Sequence, residues 1–380
     1  MHLPTHSLGQ LTGAAAMVCA AALTPAAALA ATGPAHQSQR VIAYVTNSES
    51  GTITPIRTAT NTALDAIDVG SPLAIAITPN GKTAYVINGL TNSVTPVSTA
   101  TGAAGQPIPV GGGPQVLAIT PNGKTVYVVN SGSGTVTPIS TATNTAGNEI
   151  PVGNFPWDIV ITPDGKTVYV ANAGSGTVTP ISTATSTAGT PIPVSGVSAM
   201  AITPNGRTVY VVGPGVVTPI STATSTAGTP IKIPFSAGVS PAGSPGQMLA
   251  VSTPDGKTVY VASQSTGTVT PISTATNTAG KPITVGEDPF TMAITPDGKI
   301  LEVVNQLSGT VTPIVTAVNR ARPPVTAGST PSAIAITPNG KTAYVVNNGS
   351  GTVTPISIRT SRAGQTISVG SSPTAIAISK

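Results

Sequence analysis

The stretch Ile77-Thr78-Pro79-Asn80-Gly81-Lys82 decides the fold, because close copies of it recur along the chain. Their prolines are Pro79, Pro121, Pro163, Pro204, Pro254, Pro296 and Pro338, and four of the six intervals between them are 42 residues long. A Pro-Asn-Gly or Pro-Asp-Gly sequence favours a tight turn, since proline fixes φ and glycine accepts a positive φ. A turn at one fixed place in every repeat predicts a small structural unit that is built many times over.

Each repeat also contains four short segments in which bulky apolar residues alternate with small or polar ones. In one copy these are residues 74–77, 84–87, 93–97 and 107–110, which we name strands A, B, C and D. A period of two is the pattern of a β-strand with one buried face. Four short antiparallel strands in a unit of about 40 to 45 residues are typical of a propeller blade. The sequence therefore predicts an all-β chain of four-stranded antiparallel blades.

The number of repeats predicts an eight-bladed β-propeller. Seven complete units begin near Leu73, Gln115, Trp157, Ser198, Met248, Phe290 and Ser332. Residues 41–69 supply strands B, C and D without an A, and residues 374–379 supply an A without the rest. Joined, these two pieces make an eighth blade, so the ring closes by a three-plus-one seam. A ring of seven blades is the alternative, but it leaves both pieces unpaired.

Proline recurs in the middle of strand C, at Pro55, Pro96, Pro138, Pro180, Pro219, Pro271, Pro313 and Pro355. Proline lacks the backbone N–H that a ladder hydrogen bond needs. If strand C lies between B and D, strand D must therefore be short or splayed beside each of these prolines.

The N-terminus has the pattern of a secretory signal. An Ala-rich apolar run from Leu11 to Leu29 ends in the small-residue pattern Ala28-Leu29-Ala30, although the first ten residues contain neither Lys nor Arg. We predict a signal peptide over residues 1–30, a flexible segment over 31–40 and the propeller over 41–380. No later run of about 18 apolar residues follows, which predicts a mature chain without a transmembrane segment and a secreted or cell-surface location.

The chain lacks the residues of several kinds of catalytic site. Its single cysteine, Cys19, lies in the predicted signal, and His2, His6 and His36 all precede the propeller. Without Cys or His in the ring, thiolate chemistry and a Ser-His-Asp arrangement are excluded, together with the commonest metal ligands. On this ground the sequence argues against His-dependent propeller enzymes, such as lactonase-like and lyase-like relatives, and predicts no catalytic residue, metal or cofactor.

The first blade reads Tyr44-Val45-Thr46-Asn47 and continues Ser48-Glu49-Ser50-Gly51-Thr52-Ile53, and a later blade reads Tyr-Val-Val-Asn-Ser-Gly-Ser-Gly-Thr-Val over residues 127–136. With the recurring Thr-Ala-Thr-Asn-Thr segment, these motifs resemble the YVTN-repeat β-propeller family over residues 41–380. The resemblance implies an exported or surface-located propeller, in a family whose functions are mostly undefined.

All seven tyrosines occupy one slot of the repeat, which predicts a packing role; they are Tyr44, Tyr85, Tyr127, Tyr169, Tyr210, Tyr260 and Tyr344. The eighth slot holds Glu302, and we weigh two interpretations, a functional residue or a more exposed edge. The basic residues of the Gly-Lys hairpins should ring one face of the disc, either as a solvated surface or as a weak attractant of polyanions. Nucleic acid is disfavoured, because these basic residues are not interleaved with exposed aromatics.

Residues that break the repeat gather at the opposite face, around the entries to strand A. The candidate ligand-binding residues there are Phe155, Trp157, Asp158, Gln115, Glu287, Asp288 and Phe290. An aromatic and acidic rim around a propeller mouth predicts a pocket for a small or cationic ligand, with chance divergence of the repeats as the alternative. An insertion from Phe235 to Gln247 belongs to the same face, and long insertions are often functional loops.

These observations leave three hypotheses for the function. The first is a non-catalytic extracytoplasmic propeller, a monomer that serves as a binding or protein-interaction scaffold for an unknown small molecule, wall polymer or protein. The second is a carboxylate-dependent hydrolase or lyase acting at the propeller mouth, with Asp158, Glu287 and Asp288 as its clustered carboxylates. The third is a structural component of the cell wall or a surface layer. The sequence favours the first of these hypotheses, because the ring has no histidine.

Overall fold

The computed structural model describes residues 41–235 and 248–379, apart from the side chain of Met248. Within these ranges the chain forms eight antiparallel sheets, each a blade in which strand B lies between A and C. The predicted eight-bladed β-propeller is confirmed, and the alternative of seven blades is wrong. The predicted signal peptide over 1–30, the segment over 31–40 and the insertion after Phe235 lie outside the described residues.

Strand A is the innermost strand of each blade, and consecutive A strands contact one another around the ring. From blade 1 to blade 8, the A strands are Pro373–Ile378, Pro72–Ile77, Pro114–Ile119, Pro156–Ile161, Ala199–Ile202, Met248–Ser252, Pro289–Ile294 and Pro331–Ile336. The B strands are Ile42–Asn47, Thr83–Asn88, Thr125–Asn130, Thr167–Asn172, Thr208–Gly213, Thr258–Ser263, Ile300–Asn305 and Thr342–Asn347. The C strands are Thr52–Arg57, Ser93–Ser98, Thr135–Ser140, Thr177–Ser182, Val216–Ser221, Thr268–Ser273, Thr310–Val315 and Thr352–Ser357.

Strand D is interrupted opposite the proline of strand C. Its pieces are Thr62–Ala63 with Ile67–Asp68, Ile108–Pro109, Thr145–Ala146 with Ile150–Pro151, Thr187–Ala188 with Ile192–Pro193, Thr226–Ala227 with Ile231–Lys232, Thr278–Ala279 with Ile283–Thr284, Arg320–Ala321 with Val325–Thr326, and Arg362–Ala363 with Ile367–Ser368. In blade 3 the two pieces pair with strand C on either side of Pro138, whose carbonyl accepts the Gly147 N–H at 2.8 Å. The splayed strand D that the prolines predict is thus present. One-turn 3-10 helices at Thr316–Val318 and Asn348–Ser350 follow strands C of blade 7 and B of blade 8.

The ring closes through blade 1, as predicted. Its strand A comes from the C-terminal end of the described chain and pairs with strand B from the N-terminal end, with Tyr44 opposite Ala377. The Ser379 N–H donates to the Ile42 carbonyl at 2.9 Å, and the Ile42 N–H donates to Ser379 Oγ at the same distance. No helix among the described residues has the length and apolar character needed to cross a bilayer.

The hairpin from A to B follows the predicted turn chemistry. In blade 4, Thr162 Oγ1 and the Lys166 N–H both donate to Asp164 Oδ1, at 2.6 and 3.0 Å, and Gly165 adopts a φ of 70°. The two hydrogen bonds lower the pKa of Asp164. The Lys166 side chain is 82% exposed, so the hairpin carries its charge into solvent.

The apolar core consists of eight clusters, each between two neighbouring blades. We call each cluster a wedge and number it by its two blades, so that wedge 3/4 lies between blades 3 and 4. In wedge 3/4, Tyr127 and Val129 of blade 3 pack with Ile159 and Val170 of blade 4. Seven wedges contain one buried tyrosine from the repeat slot, which confirms its packing role. Wedge 7/8 has no tyrosine, because Glu302 occupies the slot.

Candidate functional site

Strand A begins at one end of the ring, which we call the mouth. In six blades strand A begins with a proline, and the residue after that proline is half-buried at the mouth. These residues are Leu73, Gln115, Trp157, Phe290, Ser332 and Thr374. Neighbouring entries touch, since Thr374 Oγ1 donates to the Leu73 carbonyl at 3.1 Å. Most of these side chains are polar or aliphatic, so the aromatic ones mark blades 4 and 7.

Blade 4 presents an aromatic pair. Phe155 is 53% exposed, and its ring stacks on that of Trp157 with the centroids 5.7 Å apart and the planes within 12°. Phe155 has a φ of 51°, in the left-handed region that bulky residues rarely adopt. Equivalent positive-φ positions in other blades hold Gly113, Asp288, Thr330 and Ser372. An aromatic side chain is therefore held at the mouth in a backbone conformation that suits smaller residues.

Asp158 follows the aromatic pair but faces the protein interior. It is 3% exposed, and its Oδ2 accepts the Met200 N–H of blade 5 at 2.7 Å. Its Oδ1 lies 2.8 Å from the N–H of Ile159, which donates to it. The carboxylate thus joins strand A of blade 4 to strand A of blade 5 and fixes the strand that carries Trp157.

Blade 7 contributes the acidic side of the mouth. Glu287 is exposed, and its N–H donates to Ser308 Oγ at 2.7 Å. Asp288 is 2% exposed with a φ of 55°, and its carbonyl accepts the Gln306 N–H at 2.9 Å. Phe290 is half-buried in the slot equivalent to Trp157. The blade therefore offers one solvated carboxylate, Glu287, on a loop that Asp288 helps to shape.

The predicted rim residues form two groups. Phe155, Trp157 and Asp158 lie together on blade 4, and Gln115 lies on the adjacent blade 3. Glu287, Asp288 and Phe290 lie together on blade 7, three blades further around the ring. Strand A of blade 4 packs against those of blades 3 and 5, whereas strand A of blade 7 packs against those of blades 6 and 8. The mouth therefore has an aromatic wall and an acidic wall, and Asp158 is not paired with Glu287 on one wall.

A second region escaped the sequence analysis. Wherever the repeat slot holds tyrosine, its hydroxyl reaches across the wedge to the C-to-D turn of the next blade. Tyr85, Tyr210, Tyr260 and Tyr344 donate to Asn144, Asn277, Asn319 and Asn61, at 2.5 to 2.6 Å. Tyr127 and Tyr169 bond to Ser186 and Ser225 in the same turn. The tyrosine thus closes each wedge with a polar contact at its far end.

Wedge 7/8 lacks that closure. Glu302 is 0% exposed, so the interpretation of this position as an exposed edge is wrong. Neither of its carboxylate oxygens has a hydrogen-bond partner among the described residues, and the same holds for Ser361 Oγ in the turn that a tyrosine would reach. Burial raises the pKa of Glu302 to about 7, against the opposing influence of the Arg322 charge. An acid that titrates near neutrality is thus buried beside a guanidinium.

A cavity of about 350 Å³ lies at this wedge, on the end of the ring opposite the mouth. It is lined by Thr295, Asp297, Lys299, Ile300, Val315, Ala317, Arg322, Gly340, Ile358 and Arg359. The sequence contains three departures from the repeat that contribute to this cavity. Arg322, Ile358 and Arg359 stand where blades 3 and 4 have Gly147, Thr183 and Ala184. The three departures are far apart along the chain, and only the pairing of blades 7 and 8 shows that they share one wall.

Comparisons with known proteins place the chain among β-propellers. A family model described as a YNCE-like β-propeller matches residues 112–197, and one described as lactonase, 7-bladed β-propeller, matches residues 36–149. No curated protein matches the chain.

Several solved structures share the fold. Hydrazine synthase from Kuenenia stuttgartiensis is 26% identical, with 75% of this chain and 95% of that chain covered and a TM-score of 0.61. The dihydro-heme d1 dehydrogenase NirN is 13% identical, with 95% and 80% covered and a TM-score of 0.74. A putative 6-phosphogluconolactonase from Bacteroides fragilis is 17% identical, with 92% and 100% covered and a TM-score of 0.62. The two matches below 25% identity show the fold alone.

The main functional prediction, a non-catalytic binding or interaction scaffold, is wrong. The lactonase family model over residues 36–149 favours the alternative, a carboxylate-dependent hydrolase or lyase. The error came from treating histidine as indispensable. A carboxylate can also take a proton from water, so a ring without imidazole is compatible with hydrolysis.

Proposed function

We propose that this protein is a carboxylate-dependent hydrolase that opens cyclic esters of sugar acids at the propeller mouth. The observation that carries the proposal is the aromatic pair at the mouth, in which the exposed Phe155 stacks on the half-buried Trp157. The match to the lactonase family model and the putative 6-phosphogluconolactonases of the same fold support the choice of substrate.

The aromatic pair suits a sugar ring in shape and chemistry. The C–H faces of a sugar ring are apolar enough to pack on an aromatic surface, while its hydroxyls stay in water or meet polar groups. The rings of Phe155 and Trp157 are nearly parallel, so their stacking holds the exposed Phe155 ring in a fixed orientation at the mouth. Strained backbone persists where the surroundings impose it, and it concentrates at functional sites. Phe155 in the left-handed region fits that pattern.

The acidic wall supplies the base. In the proposed reaction, the Glu287 carboxylate takes a proton from water as the water oxygen attacks the carbonyl carbon of the ester. The resulting tetrahedral intermediate breaks its ring C–O bond, and the leaving oxygen takes the proton back from Glu287. The product is an open-chain hydroxy acid, and the enzyme returns to its starting state. Because the two walls lie three blades apart, the substrate extends across the mouth from Trp157 towards Glu287.

The test is hydrolysis of the δ-lactone of cellobionic acid, a disaccharide acid whose first sugar ring can stack on the aromatic wall while its lactone extends towards Glu287, followed as acid release above the buffer rate. We expect Glu287→Gln to lower kcat by about 100-fold or more, since general base catalysis contributes on that scale. Phe155→Gly should mainly raise KM, because it removes stacking. Thr330→Gly, at the equivalent position of blade 8, is the matched control and should keep the parental KM. No hydrolysis by the parent protein, or a parental kcat in Glu287→Gln, would contradict the proposal.

We further propose that the chain is an exported member of the YVTN-repeat propellers. The Tyr44-Val45-Thr46-Asn47 motif and the Ala28-Leu29-Ala30 pattern support this assignment. N-terminal sequencing of the protein secreted by its native host tests it, with Ala31 expected as the first residue; material that retains residues 1–30 contradicts the signal peptide.

A further inference from the structure

Wedge 7/8 differs from the other wedges in a way that packing alone does not require. We propose that its cavity binds a small oxyanion, a molecule that carries a carboxylate or phosphate group, with Arg322 and Arg359 as the recognising groups. The site lies at the end of the ring opposite the mouth, so the proposal is independent of the proposed hydrolase activity.

The cavity takes the place that the tip of a tyrosine side chain occupies in other wedges. In other wedges the tyrosine hydroxyl approaches the carbonyl of the residue at the start of the next C-to-D turn, as between Tyr44 and Thr99 at 3.2 Å and between Tyr344 and Thr58 at 3.1 Å. The equivalent residue of wedge 7/8 is Ile358, which lines the cavity. Glutamate is shorter than tyrosine by most of an aromatic ring, so the opening lies where the tyrosine tip is found elsewhere.

The side chains that line the cavity carry a net positive charge. Arg322, Arg359 and Lys299 contribute three cations, whereas Asp297 is the single lining carboxylate and pairs with Lys299 at 3.3 Å. Two guanidinium groups are therefore left without an ion pair of 4 Å or less among the described residues. Guanidinium groups bind carboxylates and phosphates through paired N–H donors, which makes an oxyanion the ligand chemistry that fits.

Two unpartnered groups lie in the same wedge, each two residues along the chain from a residue that lines the cavity, Ile300 or Arg359. Glu302 is fully buried with both oxygens unpartnered, and the Ser361 hydroxyl of the neighbouring blade is also buried without a partner. A buried polar group that lacks a partner is destabilising, so its retention calls for an explanation. The two unpartnered groups thus set wedge 7/8 apart from the wedges that a tyrosine hydroxyl closes.

Matched variants are available because other blades show which residues an ordinary wedge tolerates. Arg322→Gly with Arg359→Ala reproduces Gly147 and Ala184 of wedge 3/4, so the double variant is expected to fold. Lys124→Ala removes one positive charge from wedge 3/4 on the same end of the ring and serves as the control for general electrostatic attraction. Thermal unfolding checks that each variant is folded.

Calorimetric titration of the full chain with citrate, inorganic phosphate and glucose provides the test. We expect citrate or phosphate to bind the parent and Lys124→Ala alike, and glucose not to bind at the wedge. The double variant should lose at least about tenfold in affinity, the scale of one lost charge-assisted contact. Binding of citrate alone identifies a carboxylate site, and binding of phosphate alone identifies a phosphate site. No binding of either anion at about 10 mM, or equal binding by parent and double variant, overturns the proposal.

The pH dependence gives a second readout. Arg322, on the same blade, is the charged group that acts on Glu302, and the cavity of this wedge is also lined by the pair of Asp297 and Lys299 on the hairpin and by Arg359 from blade 8. When Glu302 ionises, near pH 7, it competes with the ligand for Arg322. The affinity should therefore fall between pH 6 and 8 in the parent, and Glu302→Gln should keep its affinity over that range. Affinity in Glu302→Gln that falls as steeply as in the parent would assign the pH dependence elsewhere and count against the site.

Discussion

Wedges 3/4 and 7/8 are built from equivalent strands in the same register, but a tyrosine fills only the first of them. Tyr127 lies opposite Pro138, fills wedge 3/4 and bonds to Ser186. Glu302 lies opposite Pro313 in the same way, but its carboxylate has no hydrogen-bond partner among the described residues, and a cavity lined by Arg322 and Arg359 lies at the wedge. The regular repeat thus holds the ring together, while local departures from it in one wedge leave a buried acid and a cavity within the same architecture.

The largest effect is expected when the irregular residue is placed in the regular wedge. Tyr127→Glu buries a carboxyl group where Gly147 supplies no guanidinium, and it removes a large buried aromatic ring. We expect the free energy of unfolding to fall by about 4 kcal/mol, from the combined loss of packing and the buried acid. Urea denaturation measures the change. A loss below about 1 kcal/mol would show that any wedge accepts an acid and would remove the distinction between the two wedges.

The second effect is a pH dependence of stability that belongs to wedge 7/8. The pKa of Glu302 rises from its ordinary value of 4.5 to about 7, so between these values the folded protein holds a proton that the unfolded chain has lost. Stability should therefore decrease as the pH rises from 4.5 to 7, by about 3 kcal/mol in total, and become constant above that range.

Denaturation of the parent and of Glu302→Gln across this range isolates the contribution of Glu302. The difference in unfolding free energy between them should change with pH, because the glutamine does not titrate. Parallel profiles for the two proteins are the result that speaks against a proton held at this position.

The third effect is the reverse exchange. Glu302→Tyr with Ile358→Thr rebuilds wedge 7/8 on the pattern of Tyr127 and Thr183. We expect stability at pH 8 to increase by about 2 kcal/mol, since the new ring fills the cavity and no acid is buried. The single variant Glu302→Tyr should gain less, because Ile358 is packed into the same cluster. If the double variant is less stable than the parent, the cavity is not the place of a missing tyrosine.

The smallest effect on stability is expected at the mouth. Phe155→Gly relieves the strain of a left-handed backbone, which stabilises the protein by about 1 kcal/mol. It also removes the stacking on Trp157, which destabilises the protein by about the same amount. The free energy of unfolding should change by less than about 1 kcal/mol in thermal or urea denaturation. A large destabilisation would make Phe155 a structural residue and weaken its assignment to substrate binding.

Much of the fold follows from the sequence because each blade repeats the same local chemistry. The Pro-Asn-Gly turn, the alternation of strand A and the proline of strand C predicted the hairpins, the blades and the splayed strand D. The three-plus-one seam followed from counting the two incomplete units at the chain ends. These features depend on residues close in sequence or on the order of the units, so no contact between blades was needed to predict them.

The candidate sites were less predictable, because they depend on contacts between blades. The sequence identified Phe155 and Trp157 as departures from the repeat, and their stacking is compatible with the predicted rim. It could not show that Asp158 faces Met200 of the next blade rather than the mouth. Nor could it show that Glu302 is buried and that Ser361 stands in the turn that a tyrosine at that position would reach. The two residues are 59 positions apart in the chain, and only the packing of blade 7 on blade 8 relates them.

The seam of blade 1 has a consequence for the order of folding. The first strand of the propeller to leave the ribosome, Ile42–Asn47, finds its inner partner only in Pro373–Ile378, near the end of the chain. Contacts of such long sequence separation form late, since the intervening loop must be closed first. The first blade begun is therefore the last one completed, and an incompletely synthesised chain carries an open ring with an unpaired strand edge, the form most exposed to aggregation.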